Sequence, residues 1–212
     1  NVQGFLSLMP FIREEFQITR AVAGLYFTCY FLIATIIAIF SGRIADTIGS
    51  KKGTVIGTIA VGALIIAHAL APNFFVILIL AFITGLAFSI ITPSLNKAVM
   101  EKVPRKNRAT SMGLTHMGGG VGGFLGASLL PILAENFGWR MGIVISGFLA
   151  ICIGLFIHRF YKVKNNNHEH TKNAGYTRLT FTDSFKLLLQ TRRLLIVCGL
   201  GMALGTSVGA VP

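Results

Sequence analysis

Long stretches of this chain carry no charge at all, and that constrains its fold more than any other feature. No Asp, Glu, Lys or Arg falls within 21–42, 53–96, 109–134, 141–158 or 194–212. An α-helix needs about 20 mostly apolar residues to cross the hydrocarbon of a bilayer, so each run is long enough for one span and 53–96 for two. Ala71-Pro72-Asn73 near the middle of that longest run reads as the turn between two helices. Lipid offers no partner for a bare backbone group, so only helices and closed β-barrels span it. Barrel strands alternate apolar and polar residues, whereas Phe31-Leu32-Ile33-Ala34-Thr35-Ile36-Ile37-Ala38-Ile39-Phe40 does not. The pattern predicts an all-α, polytopic transmembrane helix bundle with helices at about 1–12, 20–42, 53–71, 74–98, 109–134, 140–159 and 193–212.

Composition agrees. Charged residues make up 12% of the chain, about half the share usual in soluble domains, which leaves too little polar surface to cover a water-exposed molecule. Cys29, Cys152 and Cys198 all lie in apolar spans and read as small packing residues, with neither a disulfide framework nor metal-ligand spacing.

The placement of charge gives an orientation. All but three of the 19 Lys and Arg residues fall in 42–53, 97–108 and 158–193, and Arg13, Arg20 and Arg140 are the three on the other side. Basic loops stay in the cytoplasm, so these three segments are expected inside a multi-pass plasma or inner-membrane protein. The formal net charge of +12 then meets anionic lipid headgroups at helix ends, and nucleic acid is not an expected partner.

The expected organisation is a six-helix bundle over 1–160, a cytoplasmic central loop over 161–192, and the start of a second bundle, a seventh helix, over 193–212. Asn1 and Pro212 both lie inside apolar segments, which suggests a piece of a longer chain with its first and seventh helices clipped. The central stretch includes Asn165-Asn166-Asn167-His168-Glu169-His170. Its composition is that of a solvated linker rather than a metal site.

The first basic segment reads Gly42-Arg43-Ile44-Ala45-Asp46-Thr47-Ile48-Gly49-Ser50-Lys51-Lys52-Gly53. Gly42 suits a close approach of two helix ends, and Gly49 suits a positive-φ turn. Asp46 suits free N–H groups at a neighbouring helix start, or pairing with Arg43 or a more distant base. Lys51 and Lys52 suit the headgroup surface. This segment resembles the signature loop of the major facilitator superfamily, in sequence and in its place between the second and third helices. Thr47 and Ser50 stand where that family often has basic residues. A second resemblance, to the fourth-to-sixth-helix region of bacterial facilitators, covers 93–140. It rests on Pro93-Ser94-Leu95-Asn96-Lys97, Met117-Gly118-Gly119-Gly120 and Gly138-Trp139-Arg140, features similar to cyanate-porter-like or organic-anion members.

The resemblance implies a secondary transporter, of which this chain is expected to be a part, that moves a small organic solute or ion by alternating access. It further implies a monomer, coupling to a proton or sodium ion, and a gating role for Gly42, Arg43, Asp46, Gly49, Lys51 and Lys52. The alternative is a transporter-like sensor or assembly protein that moves nothing. Gly113, Gly118, Gly122 and Gly126 follow small-residue spacing and are candidates for a helix-packing seam. Tyr26, Tyr30, Asn96 and His116 are candidates for substrate lining, because polar groups inside spans are functional by default. The spans hold no Ser/His/Asp set, metal-ligand cluster or carboxylate pair, and no phosphate-cradling glycine motif occurs. An enzyme, a cofactor and an ATP-driven pump are therefore not expected.

Overall fold

The computed structural model describes residues 2–160, and the expected central loop and seventh helix lie outside the described residues. Six α-helices follow one another: α1 (Val2–Phe16), α2 (Arg20–Ile48), α3 (Ser50–Ala69), α4 (Phe74–Lys102), α5 (Arg108–Phe137) and α6 (Trp139–Phe160), with a short 3-10 turn at Arg105–Asn107 before α5. Helices α2 to α6 are each long and apolar enough to cross a membrane. Phe31, Leu32, Phe124 and Phe148 stand exposed on the outside of the bundle, the arrangement of a protein whose solvent is lipid rather than water.

Local chemistry sets the ends of the helices. Thr19 Oγ1 and Asn73 Oδ1 accept the free N–H groups of Val22 and Val76 at the starts of α2 and α4. Gly49 and Gly138 terminate α2 and α5. Each adopts a positive φ, 87° and 81°, and each donates its N–H to the carbonyl four residues back, on Ala45 and Ala134. Pro93 and Pro131 lie inside α4 and α5, as membrane helices tolerate.

The helices run further than their charge-free cores. The segment expected as a loop over 42–53 is helical on both sides of Gly49, and α4 continues through Lys102. Charge marks where the chain leaves hydrocarbon, whereas a helix ends where a cap or a glycine stops it, so the two boundaries separate by up to two turns.

Packing follows two triplets, α1–α3 and α4–α6. The second helix of each lies against the first helix of the other, α2 on α4 and α5 on α1, and the two third helices, α3 and α6, lie against each other. Glycine sets these approaches. A Cβ on Gly62 would meet the Gly147 carbonyl at 2.8 Å, and one on Gly147 would meet the Gly62 carbonyl at 2.7 Å, so α3 and α6 touch backbone to backbone. Gly85 of α4 sits against the Tyr30 carbonyl of α2, and Gly126 of α5 against the Gly4 backbone of α1. Inside, Phe5 stacks on Tyr26 with ring centroids 4.2 Å apart, beside fully buried Ile12, Ile77 and His68.

Candidate functional site: a clasped joint and an interior cavity

Only Gly49 separates α2 from α3, and the end of α4 closes over that joint. Lys97, on the last turns of α4, places Nζ 3.1 Å from Asp46 Oδ1. The same ammonium donates to the carbonyls of Asp46 at 3.1 Å and Ala45 at 3.3 Å. One cation thus answers a carboxylate and two carbonyls at the C-terminus of α2, that of Ala45 being shared with the Gly49 N–H, where the helix dipole favours positive charge. Glu101, one turn on, stands 4.0 Å from Lys97 and accepts a 2.6 Å hydrogen bond from Ser50, the first residue of α3. The circuit Asp46–Lys97–Glu101–Ser50 therefore clasps the end of α2, the start of α3 and the end of α4. Beneath it Gly53 takes Ser94 against its backbone, with no room for a side chain.

The base that meets Asp46 is Lys97, while Arg43 stands exposed on α2. Among the described residues Gly42 makes no close approach: α2 continues past it, and a Cβ built there would meet nothing within 4 Å. Lys51 and Lys52 lie in the first turn of α3, half-buried and exposed. Lys97 was visible in the sequence as the base of the Pro93-Ser94-Leu95-Asn96-Lys97 run. Its pairing with a residue some fifty positions earlier needed the packing of α2 on α4.

A cavity of about 520 Å³ opens among all six helices, within the range usual for small-molecule sites. Tyr26 and Tyr30 of α2 both line it, together with Thr58, Thr84 and Ser146. Thr84 and Ser146 donate to carbonyls of their own helices, on Leu80 at 2.6 Å and Ile143 at 2.8 Å, which leaves their oxygens able to accept. Neither phenol oxygen has a hydrogen-bond partner among the described residues. Among those residues no Asp, Glu, Lys, Arg or His lines the cavity; the remainder is apolar, including Phe5, Phe88 and Leu130. Asn96 lies half-buried near the clasped joint, and His116 stands exposed on α5, so the structure brings neither to this cavity. Thr58, Thr84 and Ser146 are not singled out by sequence because isolated hydroxyls in apolar helices are common and carry no spacing.

The α5 glycines divide. Gly126 meets Gly4 of α1, whereas among the described residues a Cβ on Gly113, Gly118 or Gly122 would meet nothing within 4 Å, Gly122 bordering the cavity.

Comparison with known proteins puts this architecture in a family. An uncharacterized transporter of Buchnera aphidicola is 27% identical over 205 residues, covering 93% of this chain and 47% of its own length. A gallate transporter of Pseudomonas putida is 28% identical over 156 residues, covering 72% of this chain and 33% of its own. The 4-hydroxybenzoate transporter PcaK of Pseudomonas putida is 30% identical over 183 residues, covering 81% of this chain and 39% of its own. The chain spans about half the length of the curated relatives it matches. The family model for the Major Facilitator Superfamily matches residues 1–212. With six packed helices, a clasped joint between the second and third, and transporters as relatives, this multi-pass membrane chain belongs to the Major Facilitator Superfamily.

Proposed function

We propose that the protein is a secondary carrier that moves a small organic anion, of the hydroxylated aromatic carboxylate class, by alternating access. The observation that carries this reading is the Asp46–Lys97–Glu101–Ser50 clasp. A bundle with one fixed arrangement gains little from it, because an exposed ion pair contributes only about 0–1 kcal/mol to stability. In a carrier, the same small energy decides between two states of similar free energy. Two of the relatives are named for gallate and 4-hydroxybenzoate. Both solutes join an aromatic ring to hydroxyl and carboxylate groups. The cavity offers the aromatic side chain of Phe88 and the hydroxyl-bearing side chains Tyr26, Tyr30 and Thr84 for the ring end of such a molecule. Among the described residues it offers no cation for the carboxylate, which is to be met by a group outside them or beyond this cavity. Energy would come from a proton or sodium gradient or from the solute's own gradient, acting on a monomer in the plasma or inner membrane.

The test is uptake of radiolabelled solutes by cells expressing the complete reading frame, with benzoate-type anions, aliphatic acids, sugars and cationic drugs compared. Accumulation of the hydroxybenzoates that Asp46→Asn reduces at least fivefold, with unchanged protein in the membrane, is the expected result. A protonophore that abolishes it identifies the proton as the coupled ion. Uptake confined to sugars or drugs overturns the anion assignment. No uptake of any solute, with the protein in the membrane, favours a sensor that binds without transport.

A further inference from the structure

The joint at Gly138 repeats the joint at Gly49. Ala45-Asp46-Thr47-Ile48-Gly49-Ser50-Lys51-Lys52-Gly53 and Ala134-Glu135-Asn136-Phe137-Gly138-Trp139-Arg140-Met141-Gly142 share an alanine, an acid and two glycines at the same spacing. The backbone repeats too: φ and ψ are 87° and 154° at Gly49 and 81° and 150° at Gly138. Both glycine N–H groups return to the buried alanine four residues back. The side-chain contacts then repeat across triplets. Ser50, just after Gly49, donates to Glu101 near the end of α4. Trp139, just after Gly138, donates its indole Nε1–H to Glu15 Oε2 near the end of α1. In each case the joint of one triplet grips the C-terminal end of the other triplet's first helix.

Arg140 completes the second grip. Its guanidinium lies 2.6 Å from Glu15 Oε1 through one nitrogen and donates to the Ala69 carbonyl at 3.1 Å through Nε. It also sits 4.9 Å from the Trp139 ring centre, over an indole face suited to a cation. Phe16 of α1 packs edge-on against the same indole. Ala69 is the last residue of α3 and Ser50 the first, so the two joints stand at opposite ends of the bundle. One difference is that Asp46 carries the ion pair at its joint, whereas the matching Glu135 has no partner among the described residues and Arg140 makes the pair instead.

We propose that Glu15, Trp139 and Arg140 form a second gate-holding joint, the repeat-related counterpart of the Asp46 clasp, and that the two joints bias the carrier toward opposite states. The proposal rests on the carrier reading above. A joint that ties the ends of α1, α3 and α6 keeps that end of the bundle shut, and its loss favours the state open at that end. Loss of the Asp46 clasp favours the state open at the other. These are positioning residues, and they touch no solute. An ion pair and a charge-assisted hydrogen bond, present in one state and absent in the other, are strong enough to shift a two-state balance several-fold and too weak to unfold the bundle when lost.

The experiment places a reporter cysteine at Gly122, which lines the cavity and has open space for a side chain. It uses the complete protein, with Cys29, Cys152 and Cys198 replaced. A membrane-impermeant thiol reagent is applied from the face that carries Arg140, and the labelling rate and uptake are read in the same cells. Glu15→Gln and Arg140→Gln should each raise the rate about three- to tenfold, and Asp46→Asn and Lys97→Gln should lower it by a similar factor. Glu15→Gln with Arg140→Gln should do no more than the larger single change, because the two residues act as one joint. Trp139→Phe keeps the ring and loses the donor; it should shift the rate in the same direction by less, and serves if the Arg140 variant fails to reach the membrane. Shifts of the same sign at both joints, no shift at the Gly138 joint, or additive single effects would overturn the proposal. Opposite shifts without uptake of any solute keep the joints and remove the carrier reading, whereas retained uptake without opposite shifts removes the joints alone.

Discussion

A single glycine can stop a helix or merely ride along one, and this chain shows both within one motif. Gly42 and Gly49 belong to the same signature segment, and a backbone role is expected of both. Gly49 has it: φ 87° with ψ 154° is a conformation that side-chain-bearing residues avoid. Gly42 sits inside α2, exposed, with open space where a Cβ would go. Gly49→Ala should therefore cost about 1–3 kcal/mol. Gly42→Ala should be neutral or stabilising by up to about 1 kcal/mol, since alanine loses less backbone freedom in a helix. Thermal unfolding of the two variants in the same detergent checks this, and a lower midpoint for Gly42→Ala would show that its open side is covered in the folded protein.

Between elements, the closest approaches are made by glycines that no spacing rule singled out. Gly62 of α3 and Gly147 of α6 bring two backbones together, whereas the Gly118–Gly122 step on α5 meets nothing within 4 Å among the described residues. Gly62→Ala forces a methyl group against the Gly147 carbonyl and Ile151 and should destabilise by about 1–3 kcal/mol, the usual cost of overpacking. Gly118→Ala should leave the unfolding midpoint unchanged or slightly raised. The contrast explains what was legible. Over 2–160, the number of helices, their order and their membrane character were written in charge-free runs such as 53–96, because hydrocarbon tolerates nothing else. Helix ends were displaced, because Lys51 and Lys97 mark the limit of lipid while Gly49 and Val103 mark the limit of the helix. Partner choice was not legible: small residues permit contact on any face, and only the packing of α3 on α6 selects Gly62 over Gly118. That Asp46 needs a partner was legible, but which base it meets was not, since Lys97 is one of several lysines and arginines at the same end of the bundle.

At the scale of the whole molecule, the two glycine joints stand at opposite ends, and the distribution of basic residues predicts a side for each. The rule that keeps basic segments in the cytoplasm predicts that Lys106→Cys is labelled only after a permeant reagent is added, and that Asn136→Cys is labelled by an impermeant one. Both positions are exposed at helix ends. Labelling of the two from the same side would mean that an odd number of crossings between them is wrong, and the expected orientation would fall with it.

The order of packing also bears on how such a bundle is made. Helices α2 and α3 are consecutive and separated by one residue, yet α2 rests chiefly on α4. Ile33 and the Tyr30 backbone find their seat against Gly85, and the Tyr30 ring its neighbour in Phe88, only once α4 has been synthesised. A ribosome delivering this chain releases α2 and α3 into the bilayer before either has its proper neighbour, and α1 must wait longer still, for α5. Early helices settle late, which leaves an interval in which an insertion chaperone would find the polar groups of α2, the Tyr30 phenol above all, facing acyl chains.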